Sequence, residues 1–204
     1  MQGLYAITDN SLIKPEIFIN TVENAIIGGA KIIQYRDKSQ NHALRLKQAQ
    51  ALRILCQKYK IPLIINDDIA LAQQVQADGV HLGKDDTNIF TARAKLGDKA
   101  IIGVSCYNQL SLAQEAVKSG ATYIAFGRFF SSNTKPKAVS CSVDLLRQAR
   151  KLFNCPLVAI GGITPENGAE LLAAGADCLA VIQGLFGQEN VTAAAQAFNI
   201  RINI

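Results

Sequence analysis

Short runs of apolar, often β-branched residues recur along the chain, and several end abruptly in charged or polar residues. They cover 3–8, 31–36, 63–67, 79–82, 101–105, 123–127, 157–161 and 178–182. Runs of this length, bounded by Gly, Pro or carboxylates, predict buried strands. Between them the apolar positions change to a helical spacing. The clearest case is 43–59, where Leu44, Leu46, Leu52, Leu55 and Cys56 approximate one stripe. Segments 69–75, 110–118, 143–152 and 166–173 have the same character. Thr164 followed by Pro165 marks the start of the last, because a hydroxyl can cap the free N–H groups and Pro suits the first helical position.

The punctuation between the runs also repeats. Gly29-Ala30-Lys31, Ala77-Asp78-Gly79, Gly120-Ala121-Thr122 and Gly175-Ala176-Asp177 precede the second, fourth, sixth and eighth strands. Each reads as a left-handed helix cap that leads at once into a strand. The third and seventh strands are entered through Pro62 and Pro156 instead. Eight strand–helix units with an even/odd alternation predict an α/β fold, a single (β/α)8 TIM barrel spanning 1–204. A doubly wound open sheet shares the alternation, but no Gly-x-Gly-x-x-Gly follows the first strand, which favours the barrel.

Composition narrows the class. With 49% hydrophobic and 18% charged residues, the chain has the makings of a sizeable core. Its net charge of +5 is spread without a basic run, which suits small anionic substrates and not nucleic acid. Five cysteines, odd in number and with no Cys-x-x-Cys pair, predict free thiols in a reducing compartment. The first strand begins within a few residues of Met1, leaving no room for a signal peptide, and no apolar run approaches the ~20 residues of a membrane span. These features predict a soluble cytoplasmic protein without membrane partners; they do not fix its oligomeric state.

In a barrel of this type the active site lies at the C-terminal ends of the strands. Those ends here carry Gln34, Arg36 and Lys38, then Asn66, Asp67 and Asp68, then Asp85 and Asp86. Ser105 ends the fifth strand, Ser132, Thr134 and Lys135 follow the sixth, Gly161-Gly162 the seventh, and Ile182-Gln183 the eighth. Cations, paired acids, hydroxyls and a Gly-Gly turn form a set that suits polyphosphate and Mg²⁺, a cation commonly held by one or two carboxylates and substrate phosphates. The long polar segment 129–141 is longer than an idle connection needs to be. Each residue also has a plainer reading. Arg36 and Lys38 would serve as solvated charges, and Asp68 as the cap of the helix from Ile69. Asp86 would cap the next helix, a role Thr87 could share; Asp85 has no clear role. His81 reads as a hydrogen-bonded core histidine and Cys106 as a passive thiol. Gly161-Gly162 would serve only a tight turn.

The motifs bear an end-to-end resemblance to the thiamine phosphate synthase family. It is carried by 4–9 (Leu-Tyr-Ala-Ile-Thr-Asp), Gln34-Tyr35-Arg36-Asp37-Lys38, Ile65-Asn66-Asp67-Asp68, 77–83 (Ala-Asp-Gly-Val-His-Leu-Gly), Gly103-Val104-Ser105, Thr134-Lys135 and Ile160-Gly161-Gly162-Ile163-Thr164. The resemblance implies condensation of a hydroxymethylpyrimidine pyrophosphate with a thiazole phosphate, plain or carboxylated, giving thiamine phosphate and pyrophosphate. By position it implies that Gln34, Arg36, Lys38, Asn66, Ser105 and Lys135 contact the pyrimidine pyrophosphate, Arg36, Lys38, Ser105 and Lys135 serving catalysis. It assigns Mg²⁺ to Asp67 and Asp86, and the thiazole phosphate to Ser132, Thr134, Gly162, Ile182 and Gln183.

The chain departs from the family pattern at Ser132, where Thr is usual, at Arg128, where Pro usually follows the Gly, and at Gln183, often Ser. Cys106-Tyr107-Asn108 stands where many relatives have His soon after the fifth-strand Ser. The implied chemistry is dissociative: pyrophosphate leaves, the aminopyrimidine stabilises the cation, and a neutral thiazole nitrogen attacks without a general base. Two rivals share the phosphate-binding features. A thiazole tautomerase of the same fold shifts a proton, and the missing His after Ser105 counts against it. A phosphate-ligand sensor would need no paired Asp.

Overall fold

The computed structural model describes residues 1–83, 88–131 and 140–202. Eight parallel strands close into a barrel in sequence order: β1 (Gly3–Ile7), β2 (Ile32–Tyr35), β3 (Leu63–Asn66), β4 (Gly79–Leu82), β5 (Ile101–Tyr107), β6 (Tyr123–Phe126), β7 (Leu157–Ile160) and β8 (Cys178–Val181). Closure comes from β1 pairing with β8, Gly3 opposite Cys178 and Ala6 opposite Val181. The open doubly wound sheet is thereby excluded. Around the barrel lie α1 (Phe18–Ile27), α2 (His42–Tyr59), α3 (Ile69–Gln74), α4 (Ile89–Leu96), α5 (Leu110–Lys118), α6 (Val143–Leu152), α7 (Pro165–Ala173), α8 (Gln183–Phe186) and α9 (Val191–Ile202).

Four helices go beyond those read from the periodicity, for different reasons. α1 buries Phe18, Val22, Ala25 and Ile26, a stripe that polar Asn20, Thr21, Glu23 and Asn24 interrupt. α4 buries only Ile89 and Ala92, too narrow a stripe to read by spacing. α8 has four residues, and α9 docks through Val191, Ala195 and Phe198, separated by small alanines. α9 then seals the ends of the chain together: Asn199 Nδ2 donates to Gly28 O at 2.7 Å and Thr192 Oγ1 to Asn24 O at 3.2 Å.

Strand alternation produces two cores. Outward side chains such as Leu4, Ile33, Ile65 and Val80 pack beneath the helices, while Tyr5, Ile32, Ile64, Tyr123, Val158, Cys178 and Ala180 fill the barrel. β5 differs from expectation, running to Tyr107 through a register shift against β6 after Ser105. A bulge of this kind re-aims side chains at a barrel rim.

The even-strand punctuation has a structural cause at the N-terminal face. Asp78 accepts from the Leu63 backbone N–H and from Arg53 Nη1, both at 2.8 Å, while its own N–H donates to Leu63 O. Asp177 repeats this on β7 and α6: Leu157 N–H at 2.7 Å and Arg150 Nη1 at 2.9 Å. Thr122 makes the neutral version with Ile102 N–H at 3.0 Å. The residue before the strand thus clasps the strand preceding it. Left-handed glycines close the helices at Gly29, Gly120 and Gly175, but before β4 that conformation falls on Gln76 and not on Gly79. Gly79 is needed because a Cβ there would run into the Ile101 carbonyl.

Asp177→Ala strips two charge-assisted bonds at once; we expect a loss of about 1.5–3 kcal/mol in urea unfolding, with turnover of the folded protein unchanged. The thiols give a second test. Burial pushes Cys56, Cys106 and Cys178 up to about 12 and Cys141 to about 11, from the ordinary 9.0. The folded state therefore keeps protons that the unfolded state releases. Stability from these thiols is complete below pH about 9 and falls as pH rises from there toward the folded values. Unfolding midpoints across that window, compared with Cys56→Ala and Cys178→Ala variants, should show a shallower alkaline decline in the variants.

Candidate active site

Inward residues at the C-terminal ends of all eight strands line one cavity of about 400 Å³. Its two sides differ in chemistry. β2 to β5 present polar side chains: Gln34, Arg36, Asn66, His81 and Ser105. β7, β8 and the segments after them present Val158, Ile160 and Ile182 with Gly161, Gly162 and Gly184, and their polar side chains are the uncharged Thr164, Gln183 and Gln188.

A hydrogen-bonded chain crosses the floor. Gln34 Nε2 donates to Tyr5 Oη at 2.8 Å, and the Tyr5 and Tyr123 hydroxyls are 2.8 Å apart. Tyr123 Oη lies 2.9 Å from His81 Nδ1, and His81 Nε2 lies 2.9 Å from Ser105 Oγ. The His81 ring stacks on Tyr123, centroids 5.6 Å apart, and Tyr5 meets Tyr123 edge-on at 6.0 Å. Complete burial drives both phenol pKa values well up, so both stay protonated. Gly103 makes this possible, since a Cβ there would overlap the Tyr123 ring.

The cations are not solvated charges of one kind. Arg36 lines the cavity and its Nη1 pairs with Asp9 Oδ2 at 2.8 Å; its backbone N–H donates to Thr8 Oγ1 at 2.9 Å. Asp9 is steadied by Ser11, whose N–H and hydroxyl donate to Oδ1 at 2.9 and 2.6 Å. Lys38 stands outside the lining, with 58% of its side chain exposed, and forms an ion pair with Asp67. Asp67 adopts a left-handed φ of 63°, accepts from Asn66 Nδ2 at 2.6 Å and donates its N–H to His81 O at 2.9 Å. Its neighbour Asp68 works differently, capping α3 through Leu71 N–H at 2.9 Å and pairing with Arg45 at 2.7 Å.

On the opposite side, Gly161 and Gly162 have φ of 107° and 65°, values that favour glycine. A Cβ on Gly162 would collide with the Ser131 carbonyl, and one on Gly161 would lie 2.7 Å from Arg128 Cα. These glycines admit the 128–131 segment, which Phe130 N–H fastens to Gly161 O at 2.9 Å. Reading Gly161-Gly162 as no more than a tight turn therefore falls short. Asn167, in the Thr164 capping box of α7, donates to Gly162 O at 3.1 Å and fixes the turn. Ile182 and Gln183 lie at the same edge, where Ile182 O accepts from Leu185 and Phe186.

Asp85, Asp86, Ser132, Thr134 and Lys135 lie outside the described residues. Among the described residues there is no group of three or more His, Cys, Asp or Glu arranged to hold a metal ion. Tyr5, His81, Tyr107, Tyr123 and Arg128 were not singled out as site residues by sequence reasoning, although all but Tyr123 line the cavity. For Tyr5, His81 and Tyr123 the signal is inward alternation, visible only once the strand register is known. Although Cys106-Tyr107-Asn108 supplies no His after Ser105, an imidazole still reaches the Ser105 hydroxyl, from His81 on β4. No helix among the described residues is long and apolar enough to cross a membrane.

Comparison with known proteins agrees with the geometry. Residues 4–185 match the family described as thiamine monophosphate synthase. The chain is 53% identical over 198 residues to the thiamine-phosphate synthase of Nitrosococcus oceani, covering 97% of this chain and 91% of that one. It is 54% identical over 189 residues to that of Saccharophagus degradans, covering 92% and 87%. The solved thiamine phosphate pyrophosphorylase of Pyrococcus furiosus superposes with a TM-score of 0.90 at 35% identity, covering 99% of this chain and 96% of that one. The chain belongs to the thiamine monophosphate synthase family.

Proposed function

We propose that this protein joins a hydroxymethylpyrimidine pyrophosphate to a thiazole phosphate, releasing pyrophosphate and leaving thiamine phosphate. The observation that carries the reading is the two-sided cavity: polar side chains on β2 to β5 suit a heteroaromatic ring and its departing anion, and glycine backbone after β7 and β8 suits a phosphate that stays intact. Gln34 and Asn66 face the pyrimidine. Arg36, Ser105, Lys38 and Lys135 meet the pyrophosphate, and Ser132, Thr134, Gly162, Ile182 and Gln183 hold the thiazole phosphate.

Loss of pyrophosphate from the pyrimidine methylene leaves a cation that the aminopyrimidine delocalises. Arg36, already held by Asp9 and Thr8, is spared a search for its geometry as charge gathers on the leaving group. Tyr5, Ile7, Val158 and Ile160 give the cavity apolar walls that keep water from the cation. The thiazole nitrogen, positioned by its phosphate, attacks in line. The carboxylate of Asp67, a hard oxygen donor at the polar rim, fits Mg²⁺, with Asp86 as its expected companion. Bound there, Mg²⁺ would neutralise charge on the departing pyrophosphate. Lys38, paired with Asp67 in this structure, is freed toward the anion when that carboxylate is committed elsewhere.

The tautomerase reading regains some ground from His81 beside Ser105. It is tested by incubating the thiazole phosphate alone and following proton exchange into it. Incubating both substrates with Mg²⁺ and identifying thiamine phosphate by mass spectrometry tests the synthase reading; absence of product would end it and leave the tautomerase and the sensor, which the proton-exchange experiment separates.

Two finer outcomes are expected. Lys135→Ala should lower kcat as well as kcat/KM, roughly ten- to a hundredfold, because charge develops on the group it faces; a change confined to the thiazole KM would reverse the division of the rim. Gly162→Ala is not the clean counterpart, since it would push the 128–131 segment away. In calorimetry, Lys38→Met should bind Mg²⁺ roughly two- to fivefold more tightly than the parent when no pyrophosphate is present, and inorganic pyrophosphate less tightly.

A further inference from the structure

The chain Gln34–Tyr5–Tyr123–His81–Ser105 has a direction, and turning over the Gln34 amide would reverse all of it. Gln34 Nε2 faces Tyr5, so the Tyr5 hydroxyl accepts there and keeps its own proton to give to Tyr123. Tyr123 in turn donates to His81 Nδ1. A neutral imidazole has one N–H, which must then be on Nε2 and donate to Ser105 Oγ. The Ser105 proton is left to point elsewhere, into the cavity that Ser105 lines. Reversing one link alone would set two protons or two lone pairs face to face between buried groups, at the cost of an unmade bond. If Oε1 faced Tyr5 instead, it would take the Tyr5 proton, and every later link would have to reverse.

We infer that Tyr5, Tyr123 and His81 are positioning residues that couple an anion at Ser105 to the orientation of the Gln34 amide, and so make the pocket select an aminopyrimidine edge over an oxopyrimidine edge. The inference rests on the proposed placement of the pyrimidine against Gln34 and of pyrophosphate near Ser105. A phosphate oxygen only accepts, so it requires the Ser105 proton and holds the chain in the direction described. Gln34 then meets its ligand with Oε1 as acceptor and its second N–H as donor. An amino group beside a bare ring nitrogen matches that pair. A ring N–H beside a carbonyl needs the amide turned over, which would aim Oε1 at Tyr5, reverse every link and turn a Ser105 lone pair on the anion.

Tyr5→Phe and Tyr123→Phe each remove one hydroxyl and keep the ring. The readout is the ratio of kcat/KM for the amino and the oxo forms of the pyrimidine pyrophosphate. In each variant that ratio should fall by roughly tenfold or more relative to the parent, with little further fall in the double variant, because one break uncouples the whole chain. A merely structural role would lower both substrates alike, and an unchanged ratio would overturn the inference. A second measurement does not depend on the variants folding or on turnover. His42 and His81 are the two histidines of the chain, so ¹⁵N-histidine spectra of the parent protein with inorganic pyrophosphate assign the ring readily. A neutral His81 ring protonated on Nε2 supports the direction; a proton on Nδ1, in a neutral or a doubly protonated ring, would overturn it. Failure of the parent to join either pyrimidine to the thiazole phosphate would instead count against the proposed function, leaving the tautomer to judge the chain.

Discussion

The β1–β8 pairing is the constraint on which the rest depends. Once Gly3 is opposite Cys178 and the sheet closes, inward residues of all eight strands must share one interior. Near the bottom they are Ile32, Ile64, Val158 and Cys178 and make a packed floor. Two positions further along the strands they are polar, as in Gln34 after Ile32 and Asn66 after Ile64, and the same alternation that filled the core now lines a cavity with His81 and Ser105. The Asp78 and Asp177 clasps tie strand to strand at the opposite face, so rigidity and chemistry occupy different ends of the barrel.

Glycine and charge settle the details at the rim. Gly103 gives up its side chain to the Tyr123 ring, and Gly161 and Gly162 give up theirs to the 128–131 backbone. The cations arrive already paired: Arg36 with Asp9, at 18% side-chain exposure, and the far more open Lys38 with Asp67. A shielded pair like the first holds its geometry, whereas an exposed pair is held weakly enough to exchange partners when an anion arrives. Under the proposed function, two residues from one short motif would serve as a fixed and a movable contact.

Much of this was legible in the sequence because it depends on local pattern. Apolar runs gave the strands, the Gly-Ala-Lys and Gly-Ala-Asp punctuation gave the even/odd alternation, and the polar residues past each run gave the rim. The Thr164–Pro165 signal and the cap at Asp68 are likewise local, and both appear as hydrogen bonds. What escaped depends on residues far apart in the chain. Tyr5 and Tyr123 are 118 positions apart, and nothing near either announces that their hydroxyls meet. His81 looked like a core histidine because its partner Ser105 is 24 positions away. Ala77-Asp78-Gly79 carried the resemblance without revealing that Asp78 serves the N-terminal face. The bulge at the end of β5, which carries Tyr107 into the cavity wall, has no pattern of its own.

The central claim is that one cavity has two sides, each for its own phosphorylated fragment. Amide NMR with each fragment added alone tests it most directly. The pyrimidine pyrophosphate should shift Gln34, Arg36, Asn66, His81 and Ser105, and the thiazole phosphate should shift Gly161, Gly162, Ile182 and Gln183. Two separate sets of perturbed amides are the predicted result. A single set moved by both fragments would contradict the account.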